Sequence, residues 1–297
     1  VSAVPPYGAP MANDALTLHE AAAELGVHYM TAYRYVRLGQ LVAEKDGGSW
    51  RVLRADLEAF TAGAAAVAEV AEGGGRRRAP WAERLESRLL VGDGRGAWGV
   101  IENALAGGAD LDSVYLDVVA PAMASIGARW ARGELDISVE HRATGIVQQL
   151  IGRLGPRFVR RGRTRGSVVL GAPAGERHSL PVAMMSDMVR LRGWEVSDLG
   201  ADVPASSFLY AALTTPGVVA VGISITTSEG LVPAQAAFET VRQAVPGVLL
   251  VVGGIAVRDG DHARSLGADA LAGSADEFVA LIERHLMADS DRSNIAG

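Results

Sequence analysis

The stretch Gly171-Ala-Pro-Ala-Gly-Glu-Arg-His-Ser-Leu-Pro181 decides how this chain is read. Before it stands the apolar run Ser167-Val-Val-Leu170, the pattern of a strand buried in a parallel sheet. After it come Val182, Met185, Val189 and Leu191, spaced to suit one face of a helix. His178 then occupies a strand-to-helix loop at the carboxyl edge of a sheet, where open α/β folds bind their ligands. An imidazole in that place can ligate a metal, and Glu176, two residues earlier, can hold the other ring nitrogen. The next two apolar runs end in complementary residues: 218–226 in Ser224 and Thr226, 248–254 in Gly253-Gly254. A metal ligand, small hydroxyls and glycines at three strand ends suit a flat, bulky ligand with a tail, because glycine lets backbone approach closely.

Glu176-x-His178-x-x-Pro181, Ser224-x-Thr226 and Gly253-Gly254 resemble the Asp-x-His-x-x-Gly, Ser-x-Leu (or Ser-x-Thr) and Gly-Gly pattern of the cobalamin-binding domain of methionine synthase and methylmalonyl-CoA mutase. The phrase Gly193-Trp-Glu-Val-Ser-Asp-Leu-Gly-Ala-Asp-Val-Pro204 is similar to that family too, and the likeness spans residues 166–287. Glu stands in place of Asp, and Pro in place of Gly at a helix start, where Pro is acceptable. The resemblance implies a Rossmann-like parallel sheet with His178 as the lower axial ligand to cobalt, displacing the cofactor's own base. The displaced tail would run past Ser224, Thr226, Gly253 and Gly254, with Arg177 and Gly273 also among the implied corrinoid contacts.

A chain of 297 residues allows two or three domains at ~100–200 residues each. A hydrophobic share of 49% and mean hydropathy of +0.18 exclude wholesale disorder. The absence of cysteine rules out disulfide and thiolate chemistry and agrees with a reducing cytoplasm. The longest apolar runs, near 217–225 and 247–257, fall short of the ~20 residues a membrane helix needs. The Pro/Gly/Ala-rich start does not read as a signal peptide, so a cytoplasmic protein without a membrane partner is expected. A net charge of −6 leaves no global nucleic-acid footprint, so any DNA contact must be local.

Residues 1–14 read as a flexible arm. Leu16-Thr-Leu-His-Glu-Ala-Ala-Ala-Glu-Leu-Gly26 reads as a helix with Thr17 and Glu20 as a capping box and Gly26 closing it. Residues 28–39 follow as a second short helix, 41–54 as a hairpin wing centred on Asp46-Gly-Gly-Ser49, and 56–60 begin another helix. This order, carried by Leu18, Ala22, Leu25-Gly-Val27, Tyr33-Arg-Tyr-Val-Arg37, Gly39, Leu41 and Trp50-Arg-Val52, resembles the winged helix-turn-helix of the MerR and excisionase families, over 15–61. Thr31, Tyr33, Arg34 and Arg37 lie along a helix short enough to enter a major groove, and arginine is the commonest base reader. Lys45, Arg51 and Arg54, on or beside the wing, suit phosphates. The competing reading packs Tyr33 and Tyr35 inward. Glu20, Glu24, Asp56 and Glu58 lower the local charge, so one copy should bind weakly and affinity would need several copies side by side.

Residues 62–80, Ala/Gly-rich with Arg76-Arg-Arg78 near their end, read as a linker with a solvated charge run. Four helical patterns follow at 81–91, 95–106, 111–132 and 138–158, joined by short Gly/Asp turns, which predicts a small antiparallel four-helix bundle over 81–160. Its wording, Trp130, nine residues, then Glu140-His141, is similar to the Trp-x9-Glu-His signature of the CarH/LitR-type light-responsive cobalamin repressors. In that family the bundle caps adenosylcobalamin, and the resemblance implies that Trp130, Glu140 and His141 surround its adenosyl group. One departure bears on mechanism. Where the best-known members follow that Trp with a cobalt-ligating His, this chain has Ala131, whose methyl group cannot ligate. Ligation by His141, a water, or a signal other than light are the alternatives there.

The expected architecture is therefore multidomain: an N-terminal α-helical winged helix-turn-helix, a central four-helix bundle, and a C-terminal α/β Rossmann-like parallel sheet. The resemblance implies a non-enzymatic regulator, a repressor in its family's manner, with adenosylcobalamin, cobalt and DNA as cofactor and partners and a light-dependent homo-oligomer. A corrinoid methyl carrier serving a methyltransferase, and a DNA-binding regulator sensing haem or bilin, are the competing classes.

Overall fold

Thr17 ends the first strand and caps the first helix. The Glu20 amide donates to Thr17 Oγ1 (3.2 Å) while Glu20 Oε2 accepts from the Thr17 amide (2.7 Å), a reciprocal capping box. A computed structural model describes residues 15–26, 29–37, 41–46, 49–61, 80–160 and 162–296; the side chains of Met30, Thr31, Arg34, Arg37, Asp46, Ser49 and 289–296 lie outside what it describes. The arm 1–14 and all but the last residue of the 62–80 linker also fall outside the described residues. The chain divides into two units, 1–78 and 79–297.

In the first unit, β1 (Ala15–Thr17), α1 (Leu18–Glu24), α2 (Tyr29–Arg37), β2 (Glu44–Asp46) and β3 (Ser49–Leu53) are followed by α3 over 54–61. Gly26, at φ +65°, makes the left-handed turn after α1. The hairpin expected at the wing is present as β2–β3, and β1 joins it on the far side, giving an antiparallel sheet of order β1-β3-β2. Leu18, Ala21, Ala32, Tyr33, Val36, Leu41, Val52 and Leu57 fill the core beneath it.

The second unit opens with α4 (Trp81–Leu90), α5 (Gly94–Ala106), α6 (Leu111–Ala131) and α7 (Ile137–Phe158). Asp93, Asp110 and Asp136 each cap the start of a helix by accepting a backbone N–H. By length and composition alone α6 could cross a bilayer. Here it is a core helix, burying Val114, Tyr115, Val118, Val119, Ala122 and Ile126. Its second turn, Val114–Val119, is a π segment in which the Ala120 N–H reaches the Tyr115 carbonyl. It ends two residues before Pro121, which has no N–H to continue a regular ladder.

The sheet follows: β4 (Ser167–Gly171), α8 (Ser179–Leu191), β5 (Glu195–Asp198), α9 (Ala205–Thr214), β6 (Val218–Ser224), α10 (Leu231–Ala244), β7 (Leu249–Gly253), α11 (Gly260–Ser265), β8 (Ala270–Leu271) and α12 (Ala275–Ala296). All five strands are parallel, in the order β5-β4-β6-β7-β8. Side chains alternate across β4: Val168 and Leu170 join the core shared with the four helices, whereas Val169 joins the core under α9 and α10. Bundle and sheet pack into one compact unit, because a single apolar core runs through both. Polar links reinforce that seam. Tyr115 donates from its hydroxyl to Asp187 (2.7 Å), which also accepts from Arg190, and Arg192 bridges Asp112 of α6 and Asp276 of α12 at 2.8 and 2.7 Å. Burial first, then the Asp187 hydrogen bond, pushes the Tyr115 phenol above its ordinary range and favours its role as donor.

Gly253 and Gly254, read as glycines that let backbone approach closely beside a ligand, also let backbone approach backbone. A Cβ on Gly254, where φ is +100°, would lie 2.1 Å from the Ile225 carbonyl oxygen, and one on Gly253 would lie 2.8 Å from that of Ala272. They let neighbouring strand ends close on each other. Gly254→Ala should destabilise the unit by about 2 kcal/mol or more, read as a melting temperature about 4–8 °C lower.

Candidate functional site

From β4 the chain crosses to β5 on one side, and from β5 it returns to β6 on the other. The loops leaving β4 and β6 therefore part at the carboxyl edge, and doubly wound sheets of this order hold their ligands at that switch point. His178, the residue before α8, stands there, its side chain 58% exposed.

The β4–α8 loop is pinned from both sides. Towards β5, the Gly175 amide donates to Asp202 Oδ1 and the Asp202 amide donates to the Glu176 carbonyl, both at 2.8 Å. Towards β6, the fully buried carboxylate of Glu176 accepts on Oε2 from the amides of Thr226 (2.7 Å) and Thr227 (2.9 Å) and from Thr227 Oγ1 (3.2 Å). Its Oε1 accepts from the His178 amide (3.2 Å) and lies 2.5 Å from His178 Nδ1, while Thr226 Oγ1 is 2.8 Å from the same nitrogen.

Burial works to raise the Glu176 pKa, but the hydrogen bonds from His178 and Thr226 outweigh it and hold the carboxyl at about 2. An ionised carboxylate accepts only, so the proton sits on Nδ1, and in the neutral ring the lone pair is left on Nε2. Among the described residues Nε2 has no hydrogen-bond partner. A neutral imidazole with Nδ1–H held by a carboxylate and Nε2 turned outward is the donor arrangement of a metal-binding histidine. The site thus fits a cobalt corrinoid ligated from His178.

Helix α7 stands over this loop. Gln148 Nε2 donates to Ser179 Oγ (3.2 Å), and two turns further on Gly155 lies beside the Asp187 carboxylate. Both contacts advance together along α7 and α8, so the two helices run in the same direction. Residues 137–147 consequently overhang the start of α8 by about 16 Å. His141 is seven residues before Gln148, two turns within about 20°, and so lies on the face that meets Ser179. Its Nδ1 is 2.6 Å from Glu140 Oε2, and Thr144 Oγ1 donates to Glu140 Oε1 (2.7 Å). Gly145 lies between His141 and Gln148 with open space where a Cβ would be. Trp130, 45% exposed, closes α6 at the turn that leads into this overhang.

The structure thus brings Glu176, His178 and Thr226 together and places Glu140 and His141 on the overhang. Ser224, half-buried, pairs in register with Gly253, and the Gly273 amide donates to Glu277 Oε2 at the end of β8. Arg177 is exposed beside His178. Sequence reasoning missed Asp202 and Thr227. The second hydroxyl of Thr226-Thr227 was a visible signal, whereas nothing in the letters announces the left-handed backbone of Asp202 (φ +58°).

In the first unit one reading needs correction. Tyr33, taken as a groove contact, is 4% exposed and belongs to the core of its unit, because it lies on the face of α2 that also buries Ala32 and Val36. Arg54 grips Glu24 with both terminal nitrogens (3.0 and 2.9 Å), tying α3 to α1. Lys45 lies over the Trp50 ring at 5.0 Å, and half-buried Arg51 sits on the central strand opposite Thr17 and Glu44. Thr31, Arg34 and Arg37 are on α2, and their side chains lie outside the described ones.

Comparison with known proteins gives the class first. Residues 15–64 match a family of helix-turn-helix domains, and 81–154 and 166–282 match two families each described as a B12 binding domain. The chain therefore joins a helix-turn-helix domain to a two-part B12-binding module. Among particular proteins, it is 28% identical over 194 residues to the trimethylamine corrinoid protein of Methanosarcina barkeri, covering 63% of this chain and 88% of that one. It is 28% identical over 222 residues to the HTH-type transcriptional repressor CarA of Myxococcus xanthus, covering 69% of this chain and 70% of that one. The solved monomethylamine corrinoid protein of Methanosarcina barkeri superposes with a TM-score of 0.58 at 18% identity, over 67% of this chain and 95% of that one, a likeness of fold.

Proposed function

We propose that this protein is a cobalamin-dependent transcriptional regulator of the cytoplasm, a repressor that senses light. The observation that carries the reading is the Glu176–His178 pair at the switch point, its Nε2 turned outward, in a chain that also carries a helix-turn-helix domain. His178 would hold cobalt from below, with Arg177, Ser224, Thr226, Gly253, Gly254 and Gly273 around the corrinoid and its tail. Trp130, Glu140 and His141 would enclose the upper side. Adenosylcobalamin, when bound, would supply a light-labile cobalt–carbon bond. The chain's own part is to fix the His178 tautomer through Glu176 and to exclude water with Trp130 and the α7 overhang. Arg34, Arg37 and Thr31 on α2 would read bases, with Lys45 and Arg51 of the wing on phosphates. One weak reader per chain makes DNA affinity depend on how many chains assemble. Similarity to the CarA repressor supports this reading.

Size-exclusion chromatography and DNA retention with adenosylcobalamin, in the dark and after illumination, test it. A change in elution and in retained DNA is expected. Identical behaviour in both would remove the light switch and leave a cobalamin-binding DNA reader. Ala131 makes the visible spectrum after illumination informative as well, since His141 or water must take the place a ligating side chain at 131 cannot.

A corrinoid methyl carrier is the second reading, favoured by the 88% of the trimethylamine corrinoid protein that this chain covers. Methyl transfer from methylcobalamin to a thiol in the presence of a methyltransferase would support it and count against the regulator. The spectrum of the purified protein separates both from a haem or bilin sensor.

A further inference from the structure

Asp202 is the one non-glycine among the described residues with a positive φ, +58°, a conformation that costs an ordinary side chain about 1 kcal/mol or more. It lies in the loop after β5, on a different strand from His178, and no step above uses its side chain. Yet its carboxylate accepts the Gly175 amide and its own amide donates to the Glu176 carbonyl, each at 2.8 Å. Around this clamp the Val203 amide reaches the Ala172 carbonyl (3.0 Å) and Pro173 bridges Val203. Both bonds need the left-handed turn, because it aims the amide and the carboxylate of one residue at two successive residues of the neighbouring loop.

We infer that Asp202 is a positioning residue for His178, acting through Glu176. The Glu176 side chain is fixed from the β6 side by Thr226 and Thr227, and its main chain from the β5 side by Asp202. Only when both ends are fixed does Oε1 stay under His178 Nδ1 and hold the proton there. Without the Asp202 carboxylate the loop keeps its Thr contacts and the backbone bond to the Glu176 carbonyl, but loses its hold on the Gly175 amide and gains freedom there, at φ +82°. The imidazole then samples both tautomers, and the one with Nε2–H cannot ligate a metal. The affinity arm of this inference rests on the corrinoid reading; the tautomer arm does not.

The test compares Asp202→Gly, which accepts the positive φ and removes the carboxylate, with Asp202→Asn, which tolerates that φ and retains an acceptor for Gly175. Nitrogen-15 spectra of the histidine side chains of the full chain, without any corrinoid, report the tautomer. Titration with hydroxocobalamin reports affinity. The Nδ1-protonated form alone is expected in the parent and in Asp202→Asn, and a mixture in Asp202→Gly, with corrinoid bound about tenfold more weakly. A parent-like tautomer in Asp202→Gly, or equal loss in both variants, overturns the inference. A purely structural role would lower the melting temperature without moving the tautomer. Should the parent bind no hydroxocobalamin, the corrinoid reading falls, and the ligand-free spectra still decide the role of Asp202.

Discussion

Replacing His178 with alanine is expected to weaken corrinoid binding by more than about 100-fold, since a direct ligand counts for more than the 10–100-fold typical of its supporting groups. The ligand-free fold should survive. The His178 side chain is more than half exposed, and Glu176 keeps its three donors from Thr226 and Thr227. Isothermal titration with hydroxocobalamin gives the affinity, and the visible spectrum reports whether an imidazole is bound below the metal. Uptake and colour equal to the parent's would sink the proposed site, because no other described imidazole sits at the switch point.

Glu176 offers the second large effect, and its two substitutions should separate. Glu176→Ala leaves the part-buried amides of Thr226 and Thr227 without an acceptor, which should cost about 1–3 kcal/mol of stability. Glu176→Gln preserves shape, and its amide oxygen turns to those two amides because three donors converge there. Its NH2 then faces His178 Nδ1, which must accept, so the proton moves to Nε2 and the lone pair a metal needs is lost. Corrinoid affinity should fall about 10–100-fold in Glu176→Gln with a smaller loss of stability than in Glu176→Ala. Because the folded carboxyl is held at about 2 against an ordinary 4.5, its stabilisation is fully present above pH 4.5 and vanishes as pH falls through about 2. The melting-temperature gap between parent and Glu176→Gln should therefore persist from neutral pH to about 4.5 and close below it.

Much of this arrangement was legible in the letters. The helices over 81–158 announced themselves by their helical patterns and the Gly/Asp turns between them, and their observed bounds differ from the expected ones by a residue or so. Glu176 and His178 were legible because a strand-like run precedes them and a helical face follows. Other features depend on partners distant in sequence. β1 is three residues long and is a strand only because β3 lies beside it. Tyr33 is amphipathic, so the letters allow it to face a groove or a core; Ala32 and Val36 around it decide for the core. The π turn arises where Pro121 interrupts a ladder within a long helix, and the left-handed bend at Asp202 exists only because two loops must meet. The glycine pair signalled close approach, and strand ends distant in sequence supply one such approach.

Helix α7 meets α8 towards its inner end. Its outer end is packed into the bundle, where Arg142 donates to the Leu90 carbonyl (2.8 Å) and Ala143 is buried, so bundle and helix move together. From His141 to Gly155, pressed against the Asp187 carboxylate, is fourteen residue steps, about 21 Å of rigid rod. A tilt of only ~5° at the seam would carry the far end by roughly 2 Å, more than half the length of a hydrogen bond. The molecule therefore possesses a lever whose short arm is a tyrosine–aspartate bond and whose long arm ends above the sheet's rim.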